Sequence, residues 1–350
     1  MSRHITHVTQ APLTSGAPPS TARTQVAVAL ATIYLVWGST YLAIKLADET
    51  LPPLLMAGAR FLVAGAMLYL WMRLRGAPRP TLAHWLAALV AGALLLVFGN
   101  GAMVWAEQYV PSGIVALLVG MVPIWMALLD WLRPNGIRPT ALIVLGLIFG
   151  FAGVALLVGP DHLVGGERIN PIGAAVVLIG SFCWAAGSIY LRGAKLAPPP
   201  LLASGMEMLA GGVLLLIFGS ATGEWAAFHP TAISDRSLFA LVYLILVGSL
   251  IGFTVYAWLL RNTTTAIVST YAYVNPIVAV ALGWAFAGEP LSARTLLAAA
   301  VIVTGVVAIT SSHLRPRPRP GILPAASVTA LADESREGDP SSRQAQAASR

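Results

Sequence analysis

The apolar core of this chain is written twice. At a fixed offset of 147, Trp37 falls on Trp184, Lys45 on Arg192, Pro52-Pro53-Leu54-Leu55 on Pro199-Pro200-Leu201-Leu202, and Gly58 on Gly205, without a gap. Further on the offset settles at 153 and pairs Trp105 with Trp258, Ile114-Val115 with Ile267-Val268, Pro123 with Pro276, and Trp131 with Trp284. Each copy reads as five long apolar segments. Five is odd, so if every segment crosses a bilayer the second copy starts on the opposite side from the first. The expectation is an inverted-topology repeat, an arrangement used by secondary transporters.

Composition makes the bilayer the solvent. The chain is 57% hydrophobic and 10% charged, where a soluble domain carries about a quarter charged residues. A helix needs about 20 apolar residues to cross about 30 Å of hydrocarbon, and helices satisfy their own backbone there. Ten stretches qualify, near 25–45, 54–73, 85–106, 111–131, 140–158, 171–191, 201–220, 238–260, 265–287 and 293–311. The expected fold is therefore an all-α integral membrane protein, ten transmembrane helices as two inverted five-helix repeats. Residues 25–160 form the first repeat and 161–312 the second. Residues 1–24 and the Pro-, Ser- and Ala-rich 313–350 carry too little apolar surface to fold and are expected as disordered tails.

Basic residues set the expected orientation. With the N-terminus inside, the inner loops and nearby tails hold Arg3, Arg23, Arg73, Arg75, Arg79, Arg133, Arg138, Arg192, Lys195, Arg261, Arg315, Arg317 and Arg319. The outer side holds only Lys45, Arg168, Arg236 and Arg294. Lys and Arg are retained on the cytoplasmic side, so both termini are expected there. The net charge of +7 is spread over these loops rather than gathered on one face, which argues against nucleic acid as a partner. Membrane lipids are the expected surroundings, and monomer and homodimer both stay open.

Ionisable side chains deep in a membrane are expensive and are functional suspects. Two are read as deep, Arg60 in the second span and Glu207 in the seventh, at corresponding positions of the repeat. Glu207 is a candidate for proton coupling and Arg60 for holding an anionic group, with a structural ion pair between them as the alternative. Pro123 and Pro276 sit inside the fourth and ninth spans, and each frees a carbonyl four residues earlier, Val119 and Ala272. Paired helix interruptions in the two halves point to a transporter's substrate site. Asn275 adds an amide able to bond freed backbone. Polar and aromatic residues gather near mid-span: Trp37, Ser39, Thr40, Tyr41, Asn100, Trp184, Ser188, Tyr256, Tyr271, Tyr273 and Asn275. This mixture suits a cavity for a small amphipathic solute. Gly146 and Gly150 form a G-x-x-x-G in the fifth span, read as close packing within the bundle.

Enzymatic readings find little. The chain has no phosphate-binding G-x-x-x-x-G-K-[ST]. Its histidines fall in loops, tails or span ends, so no metal pair and no cofactor is expected. The carboxylates Glu107, Asp130, Glu224 and Asp235 read as scattered, and no nucleophile and base form a recognisable motif.

With those residues in place, Val36-Trp37-Gly38-Ser39-Thr40, Ile44-Lys45, Pro52-Pro53 and Ala59-Arg60-Phe61 resemble the start of an EamA-type repeat of the drug/metabolite transporter superfamily. Tyr273-Val274-Asn275-Pro276 through Gly288-Glu289-Pro290-Leu291-Ser292 resembles its closing signature. The resemblance implies a five-plus-five basket around a central cavity, inner-membrane location, and export of small metabolites, amino acids or drugs. An importer or nucleotide-sugar carrier of the same fold is the alternative, and a non-transporting membrane protein the more distant one. The first copy departs from the pattern with Arg133-Pro134-Asn135-Gly136 where the acidic closing signature belongs. Glu289, at a helix end, is expected to cap or orient the loop before the tenth span.

Overall fold

The computed structural model describes residues 20–132, 140–158, 169–191, 193–263, 265–268 and 270–314. Residues 1–19 and 315–350 of the expected tails and the Arg133–Gly136 segment lie outside them, whereas residues 20–24 and 313–314, expected in the disordered tails, are helical and extend the first and last helices. Among the described residues every regular element is helical. Seven helices are long and apolar enough to cross a membrane: α1 (Thr24–Ala47), α2 (Pro53–Leu74), α3 (Leu82–Ala106), α4 (Ser112–Leu132), α6 (Pro171–Leu191), α7 (Pro200–Ala221) and α8 (Asp235–Leu259). Three further helices, α5 (Ala141–Val158), α9 (Tyr271–Ala287) and α10 (Ala293–Leu314), carry the shorter apolar stretches Ala141–Leu156, Val274–Ala287 and Ala293–Ala308.

Local chemistry sets the helix ends. Proline opens α2 and α7, where its missing N–H would be unpaired anyway. Thr81 and His84 form a reciprocal capping box on α3, and Ser234 accepts from the Ser237 amide at the start of α8. Gly76 and Gly223, both with φ of 81°, follow α2 and α7 at repeat-related positions. Gly288 turns the chain after α9 with φ of 63°. Only glycine adopts that left-handed conformation without strain.

The bundle is organised by backbone-on-backbone contact between α2 and α7. A Cβ added to Gly65 would stand 2.6 Å from the Leu209 nitrogen and 2.9 Å from the Gly205 carbonyl. One added to Gly212 would stand 2.6 Å from the Leu62 nitrogen and 3.0 Å from the Gly58 carbonyl. Gly65 thus meets Gly205, the counterpart of Gly58, and Gly212, the counterpart of Gly65, meets Gly58, so the two helices run antiparallel. Gly113 against Val280 and Gly120 beside Ala272 and Pro276 place α4 antiparallel to α9 in the same way. Gly146 and Gly150 lie against Gly305 of α10, the close packing expected of the fifth span.

One feature was not foreseen from the periodicity. Residues Gly92–Gly101 of α3 and Leu244–Ile251 of α8 are wound as π-helix, at matching places in the two copies. A π-turn widens the helix, displaces backbone carbonyls and is common at functional sites. Meanwhile α4 is interrupted at Gly120 and Met121, between Ser112–Val119 and Val122–Leu132.

Candidate functional site

The α4 break, the π-segment of α3 and the aromatic stretch of α1 line one cavity of 80 Å³, and the α8 π-segment reaches its wall through bonds to Trp37 and Arg60. Of the eleven residues expected to line it, Trp37, Thr40, Tyr41, Asn100, Trp184, Tyr271 and Asn275 do so. Arg60, Val119, Ala272 and Pro276 line it as well, so both carbonyls expected to be freed by proline belong to its wall residues. The volume is well below the roughly 300 Å³ of an ordinary small-molecule site, so a solute of that size fits only if the surrounding helices part.

Its aromatic floor is ordered by ring contacts. Trp37 meets Tyr256 at 5.0 Å, Tyr271 at 5.1 Å and Phe253 at 5.9 Å between centroids, separations typical of favourable tilted and edge pairs. Its indole nitrogen donates to the Gly248 carbonyl at 3.3 Å, inside the π-segment of α8. Gly248 and Gly252 leave room for this, since a Cβ at Gly252 would stand 2.5 Å from the indole nitrogen.

Two polar groups in this wall are left open. Arg60 is 3% exposed, and its Nε donates to the Ser249 hydroxyl at 2.9 Å while Nη1 has no partner. Asn100 Oδ1 is also buried without a partner. Buried polar atoms are seldom left unpaired, so one cationic donor and one acceptor stand ready for groups of a bound solute.

Other expected members sit elsewhere. Ser39 donates to the Val36 carbonyl and bonds the Tyr243 hydroxyl at 2.6 Å. Ser188 donates to the Trp184 carbonyl, and Tyr256 stands behind Trp37 outside the wall. The Tyr273 side chain lies outside the described residues. Asn275 donates to the Tyr271 and Tyr34 carbonyls at 3.3 Å rather than to the Ala272 carbonyl freed by Pro276. Pro123 is buried near the break in α4 but is not a wall residue. Arg60 and Glu207 form no ion pair: Glu207 is buried on α7, and its backbone carbonyl lies close to Gly92 of α3. Their separate levels on antiparallel helices keep them apart.

The reading of the acids as scattered is corrected by the structure. Lys45, Asp48, Glu49, Glu107, Glu224, Arg236 and Glu289 all lie at one end of the bundle, the acidic end. Glu224 accepts from the Leu54 and Leu55 amides at 3.2 and 2.9 Å, capping α2. Glu289 accepts from the Ser112 and Gly113 amides at 2.6 and 3.1 Å, capping α4. It caps a helix as expected, though the helix is α4, while the α10 start is held by Ser292 accepting from the Thr295 amide. Each carboxylate follows a left-handed glycine that aims it across the bundle, and each favours the positive end of a helix. In sequence the counterpart of Glu224 is Ala77 and that of Glu289 is Gly136, so the repeat does not carry the two clasp carboxylates twice and the clasp is one-sided in sequence. Burial raises the Glu224 carboxyl above its ordinary pKa, with the Leu54 and Leu55 amides opposing.

Beside the clasp, a crevice of 740 Å³ is lined by Asp48, Glu49, Trp105, Gln108, Phe218 and Glu224 among others. Glu107 is 0% exposed between this crevice and the central cavity. The expectation that only Arg60 and Glu207 are deep missed it, because a residue at a span end is buried only by loops and neighbouring helices folding over it. Among the described residues no group of His, Cys, Asp and Glu has a metal-holding arrangement.

Known proteins share this pattern. The model of the EamA-like transporter family matches residues 25–159 and 171–311. The chain is 43% identical over 284 residues to the uncharacterized inner membrane transporter YedA of Escherichia coli strain K12, covering 81% of this chain and 89% of that protein. It is 29% identical over 290 residues to the uncharacterized transporter YvbV of Bacillus subtilis strain 168, covering 83% and 92% respectively. A solved crystal structure of a chain 20% identical matches with a TM-score of 0.57 over 84% of this chain and 99% of the other, a likeness of fold.

Proposed function

We propose, from the premise that this chain belongs to the EamA-like transporter family, that it is a secondary transporter working by alternating access around the central cavity. Its cargo is a small amphipathic metabolite, such as an amino acid or related compound, or a drug, exported across the inner membrane. The architecture is ten spans in two inverted five-helix repeats with both termini in the cytoplasm. The antiparallel contacts of α2 with α7 and α4 with α9 support it. Arg73, Arg75, Arg79 and Lys195 against the carboxylates of the other end make the acidic end the outer one.

One observation carries the reading. The α3 π-segment and the α4 break of the first copy, with Pro276 of the second, line one aromatic cavity whose Arg60 Nη1 and Asn100 Oδ1 are unpartnered. Broken helices that expose backbone are tolerated at membrane depth where they line such a cavity. In the substrate complex Arg60 holds an anionic group, Asn100 accepts from an N–H or O–H, and Trp37 and Trp184 cover the apolar body.

The test is counterflow of labelled amino acids and aromatic cations by the purified full chain in liposomes. Asn100→Ala and Trp184→Ala are expected to reduce counterflow of whichever compound the parent carries. Parent activity unaffected by both changes would overturn the assignment of this cavity.

A further inference from the structure

The acidic end holds one feature that cargo binding in the central cavity does not use. Glu107 is 0% exposed, and neither of its carboxylate oxygens has a hydrogen-bond partner. Both carboxylate oxygens of Asp48 are likewise buried without a partner. The neighbouring cation does not relieve them, since Lys45 Nζ donates to the backbone carbonyl of Glu107 at 3.1 Å. This contrasts with Glu224 and Glu289, each held by two amides. An isolated anion in such a place is costly by several kcal/mol, and the ordinary resolution is a bound proton.

The surroundings point the same way. Glu107 faces Asp48 and Glu289, opposed by Lys45 and Arg60, and Tyr41 faces it from α1. Asp48 faces Glu224, opposed by Lys45. Burial first, then the neighbouring carboxylates, push the Glu107 and Asp48 carboxyls well above the usual carboxylate range.

Position gives the pair a direction. Asp48 lines the 740 Å³ crevice, as do Trp105 and Gln108 on either side of Glu107. Met103, one turn before Glu107, lines the central cavity with Tyr41 and Arg60. Glu107 thus separates the two spaces. The repeat supplies no second copy, because the counterparts of Asp48 and Glu107 are Lys195 and Leu260. Neither Glu207 nor its chain neighbours line either space.

We propose that Glu107 is the proton-binding site of the transport cycle, with Asp48 exchanging its proton with the acid-lined crevice. The assignment of a cycle rests on the transporter reading above. In the exchange step an O–H bond on Asp48 breaks as one on Glu107 forms, so the pair keeps its charge. Release of the proton toward the central cavity then couples its passage to that of the cargo.

Two measurements on the full chain in liposomes test this separately. Infrared titration of the carboxylic C=O stretch is expected to show a band that persists above the ordinary carboxylate range. Glu107→Gln removes part of that band and leaves the Asp48 part, and Asp48→Asn moves the midpoint of the Glu107 part to lower pH by taking away a like charge. The Asp48→Asn shift is read with Glu107 intact, so it stands even if Glu107→Gln fails to fold. A band whose intensity Glu107→Gln leaves unchanged, or that titrates entirely in the ordinary range, overturns proton binding at Glu107.

The second measurement is counterflow and pH-driven accumulation of the same labelled panel. Coupling predicts that Glu107→Gln keeps counterflow and loses accumulation driven by a pH gradient. Accumulation retained by a folded Glu107→Gln protein overturns coupling at this site. Absence of counterflow in the parent strikes the transporter reading and the cycle that rests on it, while the infrared titration still decides whether Glu107 binds the proton.

Discussion

The one-sided clasp predicts how replacing a single carboxylate changes access to the cavity. In Glu289→Gln the side chain keeps its length but has one acceptor oxygen, so it can hold only one of the amides now at 2.6 and 3.1 Å. A hydrogen bond to a charged group contributes about 1.5–3 kcal/mol, and a charge at a helix N-terminus about 0.3–1 kcal/mol. The loss is therefore about 2–4 kcal/mol, felt only by conformations in which the acidic end is closed. At 1.4 kcal/mol per tenfold, the ratio of open to closed rises about 30- to 700-fold. The assay uses Thr40→Cys on the cavity wall in a Cys183→Ser background. A membrane-impermeant maleimide is added outside intact cells, and the labelling rate reports the open population. The predicted gain in rate is about 30- to 700-fold. An unchanged rate in a folded, fully expressed Glu289→Gln protein would refute the clasp, and acceleration seen only from the cytoplasmic side would place it at the wrong end.

Further predictions use other assays. Gly212→Ala puts a methyl 2.6 Å from the Leu62 nitrogen, so it should lower apparent Tm, with overpacking costing about 1–3 kcal/mol or more; Gly193→Ala, with nothing within 4 Å, should not. Because the raised Asp48 and Glu107 carboxyls bind protons more tightly folded than unfolded, thermal stability should fall as pH rises past the ordinary value near 4.5 and level off above the folded pKa. Glu107→Gln should flatten that slope, and stability rising through the same window would contradict the sign. Ser249→Ala frees Arg60 Nε and should weaken cargo affinity in counterflow more than it lowers Tm, whereas equal loss of fold and affinity would make the bond structural.

Much of the cavity was legible because polar residues in apolar helices have few reasons to exist. Trp37, Asn100 and Asn275 stand out against their neighbours, and the repeat placed Trp184 opposite Trp37. Ser39 and Ser188 read alike from composition, yet their hydroxyls turn back to carbonyls of their own helices, a choice made by rotamers. The π-segments left only their glycines as a trace, Gly92, Gly99 and Gly101 in α3 and Gly248 in α8, since winding is settled by what each turn packs against. Glu107 was passed over because distance from a span centre is a poor measure of burial once α1 and the following loop cover the span end.

The glycine crossing has a consequence for how the two halves can diverge. After duplication most positions drift independently, as Ala77 and Glu224 have. At Gly65, Gly205 and Gly212 the nearest wall is backbone of the other copy, at Leu209, Tyr69 and Leu62. A larger residue in one half cannot be offset there by a smaller one in the other, because backbone does not shrink. The seam where the halves touch is thus the part of the molecule with no room for compensation.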